Sequence, residues 1–287
     1  MVRACVLAAW VIAGTVLCAK SAAGADHQPD PESPSRWLPL YNRTAAEYEL
    51  FRDPAHREKL ELKAEPIYKW TANSADGANG AVYVWTHRGC AEAVGCFWLW
   101  PRQNGAEAHN TPLRLAHELH SLSPVVLKPL REGATQWTPK AALPRAVLDG
   151  APVPAKSAAR RLTQMRSIGQ DFSAHSLATD GERRELRLLT TPLYRYQSAD
   201  PEVEDGALFA FVCTVGTDPE AFLVLEARRT SDGPRWHYAL ARFSHLGLYV
   251  QHRGREVWRS VRGPDDDFDH SADHTYRCFS APLVEAP

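Results

Sequence analysis

Apolar and polar residues alternate with a period of two along much of the chain. The stretches Glu185–Gln197, Gly206–Cys213, Glu220–Arg229 and Arg235–Leu246 read as β-strands, followed by a short pair around Leu248–Val250 and Glu256–Ser260. Turn-forming clusters separate them: Ser198-Ala199-Asp200-Pro201, Gly216-Thr217-Asp218-Pro219 and Ser231-Asp232-Gly233-Pro234. The first half gives four comparable strands, Pro66–Ala72, Gly80–His87, Glu92–Trp100 and Leu113–Leu122, with Gln103-Asn104-Gly105 as a turn. Connections this short predict antiparallel pairing. Two segments break the alternation. Thr44–Phe51 opens with Thr44-x-x-Glu47, a capping-box pattern, and stops at Asp53-Pro54. Ser157–Phe172 places Ala158, Leu162, Met165, Ile168 and Phe172 close to a helical stripe, with Arg160, Arg161 and Arg166 on a solvated side.

The pattern recurs. Glu65-Pro66-Ile67-Tyr68-Lys69-Trp70 resembles Thr191-Pro192-Leu193-Tyr194-Arg195-Tyr196, and Gly80-Ala81-Val82-Tyr83-Val84-Trp85 resembles Gly206-Ala207-Leu208-Phe209-Ala210-Phe211, both at an offset of 126. Glu92-Ala93 matches Glu220-Ala221 at 128, and Gly133 and Trp137 match Gly254 and Trp258 at 121. Ordered matches at a nearly constant offset point to two copies of one unit. Each copy reads as a helix followed by antiparallel strands. The expected fold class is therefore α+β, as two tandem copies of a helix packed on a curved antiparallel sheet. The order of elements is similar to the cone of the nuclear-transport-factor type, with a helix-grip arrangement as the alternative. The copies span residues 44–142 and 157–262. A linker at 143–156 carries Pro144, Asp149-Gly150, Pro152 and Pro154, and 263–287 reads as an irregular tail.

The first 25 residues change the picture. A short basic start at Met1-Val2-Arg3 is followed by an apolar run from Ala4 to Cys18, then small residues with Ala23 and Ala25 placed as an A-x-A cleavage site. This is the layout of a secretory signal, and the run falls short of the roughly 20 residues a membrane span needs. The expected product is exported, periplasmic or secreted, without a membrane span. Residues 26–43, rich in proline, read as an extended lead-in. The net charge of −1 becomes −3 once Arg3 and Lys20 leave, so nothing suggests a nucleic-acid or anionic-membrane partner. Cys90, Cys96, Cys213 and Cys278 remain. Export permits disulfides among them, in three possible pairings, or four buried free thiols. Asn42-Arg43-Thr44 is a glycosylation sequon, relevant in a eukaryotic host.

Catalytic signatures are missing: there is no Gly-rich phosphate loop and no G-x-S-x-G. In His117-Glu118-Leu119-His120 the histidines are three apart rather than the four of a zinc helix, and on a strand Glu118 and His120 share one face while His117 takes the other. Asp265-Asp266-Asp267-Phe268-Asp269-His270 lacks the glycine and closing glutamate of a calcium loop and reads as a solvated acidic stretch. No metal or cofactor is expected. The sharpest candidates are Glu226 and Arg242. Each ends an apolar row (Phe222, Val224, Glu226; Trp236, Tyr238, Leu240, Arg242), and each aligns with an apolar residue of the first copy, Trp98 and Leu119. They are expected to pair on the concave side of the second copy, with Tyr194 and Tyr196 lining the same cavity.

Several segments resemble a family of uncharacterised exported proteins from planctomycete-type bacteria, over roughly residues 60–260: Arg160-Arg161-Leu162-x-Gln164-Met165, Glu185-Leu186-Arg187-Leu188-Leu189, Pro192–Tyr196, Asp205–Phe211 and Gly216-Thr217-Asp218-Pro219-Glu220. The resemblance implies a bacterial cell-envelope location and carries no activity. The leading expectation is a non-enzymatic exported binding or interaction module, whose partner is a protein or a small-molecule ligand. The alternatives are a hydrolase or isomerase with its cavity in the second copy, favoured by a convergent cluster of Glu226, Arg242, His237 or Tyr194, and a structural envelope protein.

Overall fold

The computed structural model describes residues 34–71, 78–100, 113–131, 136–178, 180–213, 216–261 and 272–283. The signal at 1–25, the turn at Gln103–Gly105, Gly133 and the Asp265–His270 run lie outside them. A 3-10 turn (Pro34–Trp37) enters α1 (Leu38–Ala46), followed by β1 (Glu49–Phe51), β2 (Glu61–Leu62), β3 (Tyr68–Thr71), β4 (Asn79–His87), β5 (Cys90–Trp100), β6 (Arg114–Ser121), β7 (Lys128–Leu130) and β8 (Ala146–Val147). Then come α2 (Ala158–Gln170), β9 (Phe172–Leu177), β10 (Arg183–Leu188), β11 (Tyr194–Tyr196), β12 (Val203–Cys213), β13 (Pro219–Thr230), β14 (Gly233–Arg242), β15 (Gly247–His252), β16 (Arg255–Ser260) and β17 (Tyr276–Pro282).

The architecture is predominantly β, with 51% strand, 11% helix and a sheet curled into a half-barrel, which corrects the expected α+β class and its cone. The physical reason is visible in the strands. In β4 seven consecutive residues are buried, and in β13 the first nine are. Both faces of these strands are covered, so alternation marks two buried faces rather than one buried and one wet. One sheet runs β17-β6-β5-β4-β2, with β3 also on β4; the other runs β16-β15-β9-β10-β12-β13-β14-β8, with β11 also on β12. Between the sheets lies a shared core in which Val82, Val84, Val94 and Cys96 meet Leu208, Ala210, Phe222, Val224 and Ala241. On the far side of the first sheet α1 contributes Leu40, Tyr41 and Ala45 to a second core. On the far side of the other sheet Met165 and Ile168 of α2 pack against residues from β9, β10, β12, β13, β14 and β15.

The helices start where local chemistry allows. Pro39 occupies the first turn of α1, where its missing N–H costs nothing, so the helix begins before Thr44 rather than at it. Thr44 is interior, its hydroxyl donating to the Leu40 carbonyl at 2.9 Å, and Asn42 of the sequon accepts from the Tyr83 hydroxyl. In α2 the Ser157 side chain caps the Arg160 N–H. Arg161 is buried, contrary to its expected solvated position, because it reaches back to β12. Its Nε donates to Asp205 at 2.9 Å and its Nη1 to the Ala155 and Lys156 carbonyls, while Arg195 closes on the other side of the same carboxylate at 2.9 Å. Arg160 and Arg166 are exposed. Cys90, Cys96, Cys213 and Cys278 are buried free thiols.

Strand pairing repeats itself along the chain. Leu62, Tyr68 and Trp70 stand opposite Trp85, Val82 and Gly80. At an offset of 126, Leu188, Tyr194 and Tyr196 stand opposite Phe211, Leu208 and Gly206. In both places the ring of the third residue lies on the opposing glycine: a Cβ at Gly80 would fall 2.6 Å from the Trp70 ring, and one at Gly206 2.3 Å from the Tyr196 ring. The stretch Glu185–Gln197, read as one strand, is broken into β10 and β11 just as β2 and β3 are. The stretch read as an irregular tail supplies β17, which completes the first sheet beside β6.

Asp205 is fully buried and offsets two guanidinium groups. Asp205→Ala leaves buried Arg161 with only the partly exposed Glu204 carboxylate at 2.8 Å and removes the acceptor of Arg195, and the expected loss is about 3 kcal/mol of unfolding free energy in urea titration. A loss under about 1 kcal/mol would place the pair among solvated surface contacts.

Candidate functional site

The shared core holds polar groups at both ends. At one end Glu226 stands on β13 with 1% exposure. Its Oε1 accepts from the Tyr196 hydroxyl (2.8 Å) and Arg145 Nη2 (3.3 Å); its Oε2 accepts from Arg145 Nε (3.1 Å) and Arg228 Nη1 (2.8 Å). A carboxylate has about four lone-pair positions, so this one is fully subscribed. Burial pushes its pKa up, but the charge of Arg145 and the hydrogen bonds from Arg145, Tyr196 and Arg228 outweigh that and hold it below the ordinary value. Glu226 is a lock between sheet and linker, with no acceptor position left for a ligand.

Of the candidates, Glu226, Tyr194 and Tyr196 do come together. Tyr194 and Tyr196 stack at 5.7 Å between ring centroids, and the Tyr194 hydroxyl donates to the Gly89 carbonyl at 3.0 Å, reaching across to the first sheet. Arg242 is not with them, which corrects the expected pair. Glu226 stands opposite His237 and Ala221 opposite Arg242. The two positions are thus separated by about 17 Å of strand. The row Trp236, Leu240 packs toward α2, whereas Phe222 and Val224 face the other sheet, so the two apolar rows belong to opposite faces. Arg242 donates instead to the Ser244 and Leu246 carbonyls (3.0 and 3.2 Å) and lies 5.2 Å above the Tyr276 ring. The actual partner, Arg145, came from a stretch read as linker; a single arginine among prolines gives no periodic signal.

Each end of the core carries one glutamate hydrogen-bonded to a serine. Glu92 bonds Ser123 and Glu220 bonds Ser244. Their backbones are also equivalent, with Leu122 N–H donating to the Glu92 carbonyl and Phe243 N–H to that of Glu220. The surroundings differ. Burial raises Glu92, opposed by Ser123, Arg52 and Arg145. Burial raises Glu220 to about 7, opposed by Ser244 and reinforced by Asp218. Beside Glu220, burial drives Glu118 well above the ordinary range, against the hydrogen bond that the Tyr276 hydroxyl donates to it at 2.6 Å. Burial raises Asp218 as well. The Glu220 Oε2 atom is buried without a hydrogen-bond partner. The recurrence of a glutamate in Glu92-Ala93 and Glu220-Ala221 was the readable signal for this pair.

The histidines of β6 are core residues. His117 lies parallel to Phe279 at 4.9 Å and shares a 2.9 Å hydrogen bond with Tyr48; burial and then Arg131 lower its pKa to about 3. His120, on the Glu118 face, is lowered by burial to about 4 despite its bond to the Ser121 carbonyl. Among the described residues no group of three His, Cys, Asp or Glu side chains is arranged to hold a metal ion. Two open clefts are formed elsewhere, one of about 380 Å³ by Leu148–Pro154 with Arg235 and Trp236, the other by Ala46, Glu47, Glu49, Leu130 and Arg131. Neither includes Glu226, Arg242, Tyr194 or Tyr196.

The nine-stranded sheet is wider than its partner. Strands β9, β10 and β15 bury residues in the core beneath α2, β16 packs half-buried Val257 and Trp258 beside it, and none of the four contributes to the shared core. Their other face forms a ladder, Glu185–His175–Tyr249–Arg259, in which His175 and Tyr249 are parallel at 4.9 Å. Arg183, Arg187 and Gln251 flank it, and Glu185 pairs with Arg183 at 2.6 Å.

Glu226→Ala should cost about 3–5 kcal/mol, since it strands Arg145, whose side chain is 5% exposed. Because the folded-state pKa of Glu226 lies below its ordinary 4.5, its contribution is present above that value and fades as pH falls. The stability gap between wild type and Glu226→Ala, measured by urea titration from pH 7 to pH 3, is expected to narrow on acidification; a constant gap overturns the ion-pair reading. No family model, curated protein or solved structure matches this chain.

Proposed function

We propose that this chain is an exported, non-enzymatic binding module, and that the overhanging ladder on β10, β9, β15 and β16 is its contact surface. One observation carries the reading: β9, β10 and β15 bury one face in the α2-side core, with β16 half-buried beside them, while the other face stays uncovered and largely polar. A flat face offers no enclosure for a small molecule, so it fits an extended partner such as another protein of the cell envelope. Tyr249 and His175 supply a fixed aromatic centre, and Arg183, Arg187 and Arg259 supply donors around it. Interfaces concentrate binding energy in tyrosine and arginine of this kind. Glu226 supports the non-catalytic side of the reading, because its oxygens are already occupied. Export rests on the sequence layout of residues 1–25. Among the described residues no helix is long and apolar enough to cross a membrane.

The test is retention of cell-envelope proteins by the immobilised chain, compared with Tyr249→Ala/Arg187→Glu. Loss of a central interface residue costs about 2 kcal/mol or more, so affinity for a retained protein should fall roughly thirtyfold or further. Both substitutions lie on a half-buried or exposed face and should leave the melting temperature within a few degrees. Equal retention by both proteins overturns the assignment of this face.

A further inference from the structure

We propose that Glu118, Asp218 and Glu220 form a proton-dependent latch between the two sheets, closed when the carboxyls are protonated and opened at this end when they ionise. The geometry is that of an interface. Glu118 projects from β6 of the first sheet, level with Cys96 on β5 and Cys278 on β17. Glu220 projects from β13 of the second sheet, beside Phe222 in the row that faces the first. Tyr276 of the first sheet touches Phe243 and Arg242 of the second, with ring centroids 6.3 Å apart and the guanidinium 5.2 Å away. The two carboxyls therefore face the space the sheets share, and the proton affinity of Glu118 is raised first by burial and then by Asp218 and Glu220.

Among the described residues, the charged and titratable groups around Glu220 come from both sheets. From the first sheet they are Glu118 and His120 of β6, Cys96 of β5, and Tyr276 and Cys278 of β17. From the second they are Asp218, Arg242 and, further out, Arg184 of β10, with Ser244 as hydrogen-bond partner and His245 exposed beyond it. His120 is neutral above about pH 4 and so offers no cation. Arg242 donates to two backbone carbonyls. At the opposite end the equivalent glutamate, Glu92, has Arg52 at 3.6 Å, and Arg145 is held beside it by Glu226. Glu92 and Glu220 each keep one buried oxygen without a hydrogen-bond partner, but Glu92 has the Arg52 guanidinium at 3.6 Å, whereas Glu220 stands among the acids Glu118 and Asp218, with Arg242 and Arg184 as the cations of that end. Among the described residues, Thr217 and Thr71 join the two sheets at the surface of the acidic end: Thr217 Oγ accepts from the Thr71 N–H at 3.2 Å and donates to the Thr71 carbonyl at 3.1 Å, both exposed.

The sign follows from the proton count. Glu220 holds its proton up to about pH 7 in the closed state but only to about 4.5 when solvated, so the closed state binds more protons between those values. The Glu220 contribution favours closing fully below 4.5 and makes opening rise about tenfold per pH unit up to about 7, where it levels off, while the raised Glu118 and Asp218 carboxyls add to the total slope.

Cys96 and Cys278 flank Glu118 and become reactive when this end opens, whereas Cys90 stands near the lock and Cys213 faces α2. The experiment labels the full chain with 4,4′-dithiodipyridine between pH 4.5 and 8 and reads each cysteine by mass spectrometry. Rates are divided by those of Glu220→Gln, which cancels the intrinsic pH dependence of the thiol. For Cys96 and Cys278 the ratio should climb about tenfold per unit to about pH 7 and then flatten, while for Cys90 and Cys213 it stays level. If Glu220→Gln folds poorly, hydrogen exchange of β6 and β17 peptides in the wild type gives the same reading, with faster exchange of these two strands toward pH 7 than of β12, after correction for the intrinsic rate. A flat ratio at Cys96 and Cys278, an equal rise at all four cysteines, or unchanged relative exchange of β6 and β17 overturns the latch.

Discussion

Two sheets share one core, and each has a second core on its outer face. From this double burial the rest follows. In the strands covered on both faces a residue has no default access to water, so a charged group buried there needs a partner or a proton. Glu226 meets the condition with two arginines and a tyrosine. Asp205 meets it the same way on the α2 side. Burial lowers the proton affinity of His117 and His120, favouring their neutral forms, and raises that of Glu118 and Glu220. The ionisation pattern of the molecule is thus a consequence of its layering rather than of any local motif.

Much of the strand plan was legible in the sequence, because alternation and turn clusters act over a few residues. The cores of β4, β5, β6, β12, β13 and β14 lie where the period-two pattern put them. What the pattern lacks is an indication of what covers each face. Phe222 and Val224 face a sheet, while Leu223 and Leu225 face a helix, and both rows are simply apolar. The expectation of two helix-on-sheet copies, and with it the cone, failed at that step. The Glu226–Arg242 pair failed for a related reason: pairing two apolar rows by composition joined the outer row of β14 to the inner row of β13. Single residues with distant partners were the least readable. Arg145 and Arg161 act across 81 and 44 residues of chain, far beyond any local period.

The register recurring after 126 residues gives a frame in which differences become informative. Trp98 and Glu226 both stand opposite the glycine of their half, Gly80 and Gly206. The first half fills that place with an indole and the second with a carboxylate, which then needs arginines around it. Glu92 and Glu220 are alike in backbone and serine partner and unlike in charge environment. Equivalent positions thus separate what the framework requires, a glutamate bonded to a serine beside a strand end, from what each half has added to it.

The strand β17 comes from the end of the described chain yet is the outermost strand of the sheet begun by β2 and β4. It bonds β6 along seven residue pairs, across more than 150 residues of intervening sequence. Until that segment has been synthesised, β6 is an open edge with apolar neighbours, ready to pair with another chain. The contact is also among the most non-local in the molecule, and such pairings form slowly. The first sheet therefore cannot be completed until the segment carrying β17 has been made, although its other strands are made first.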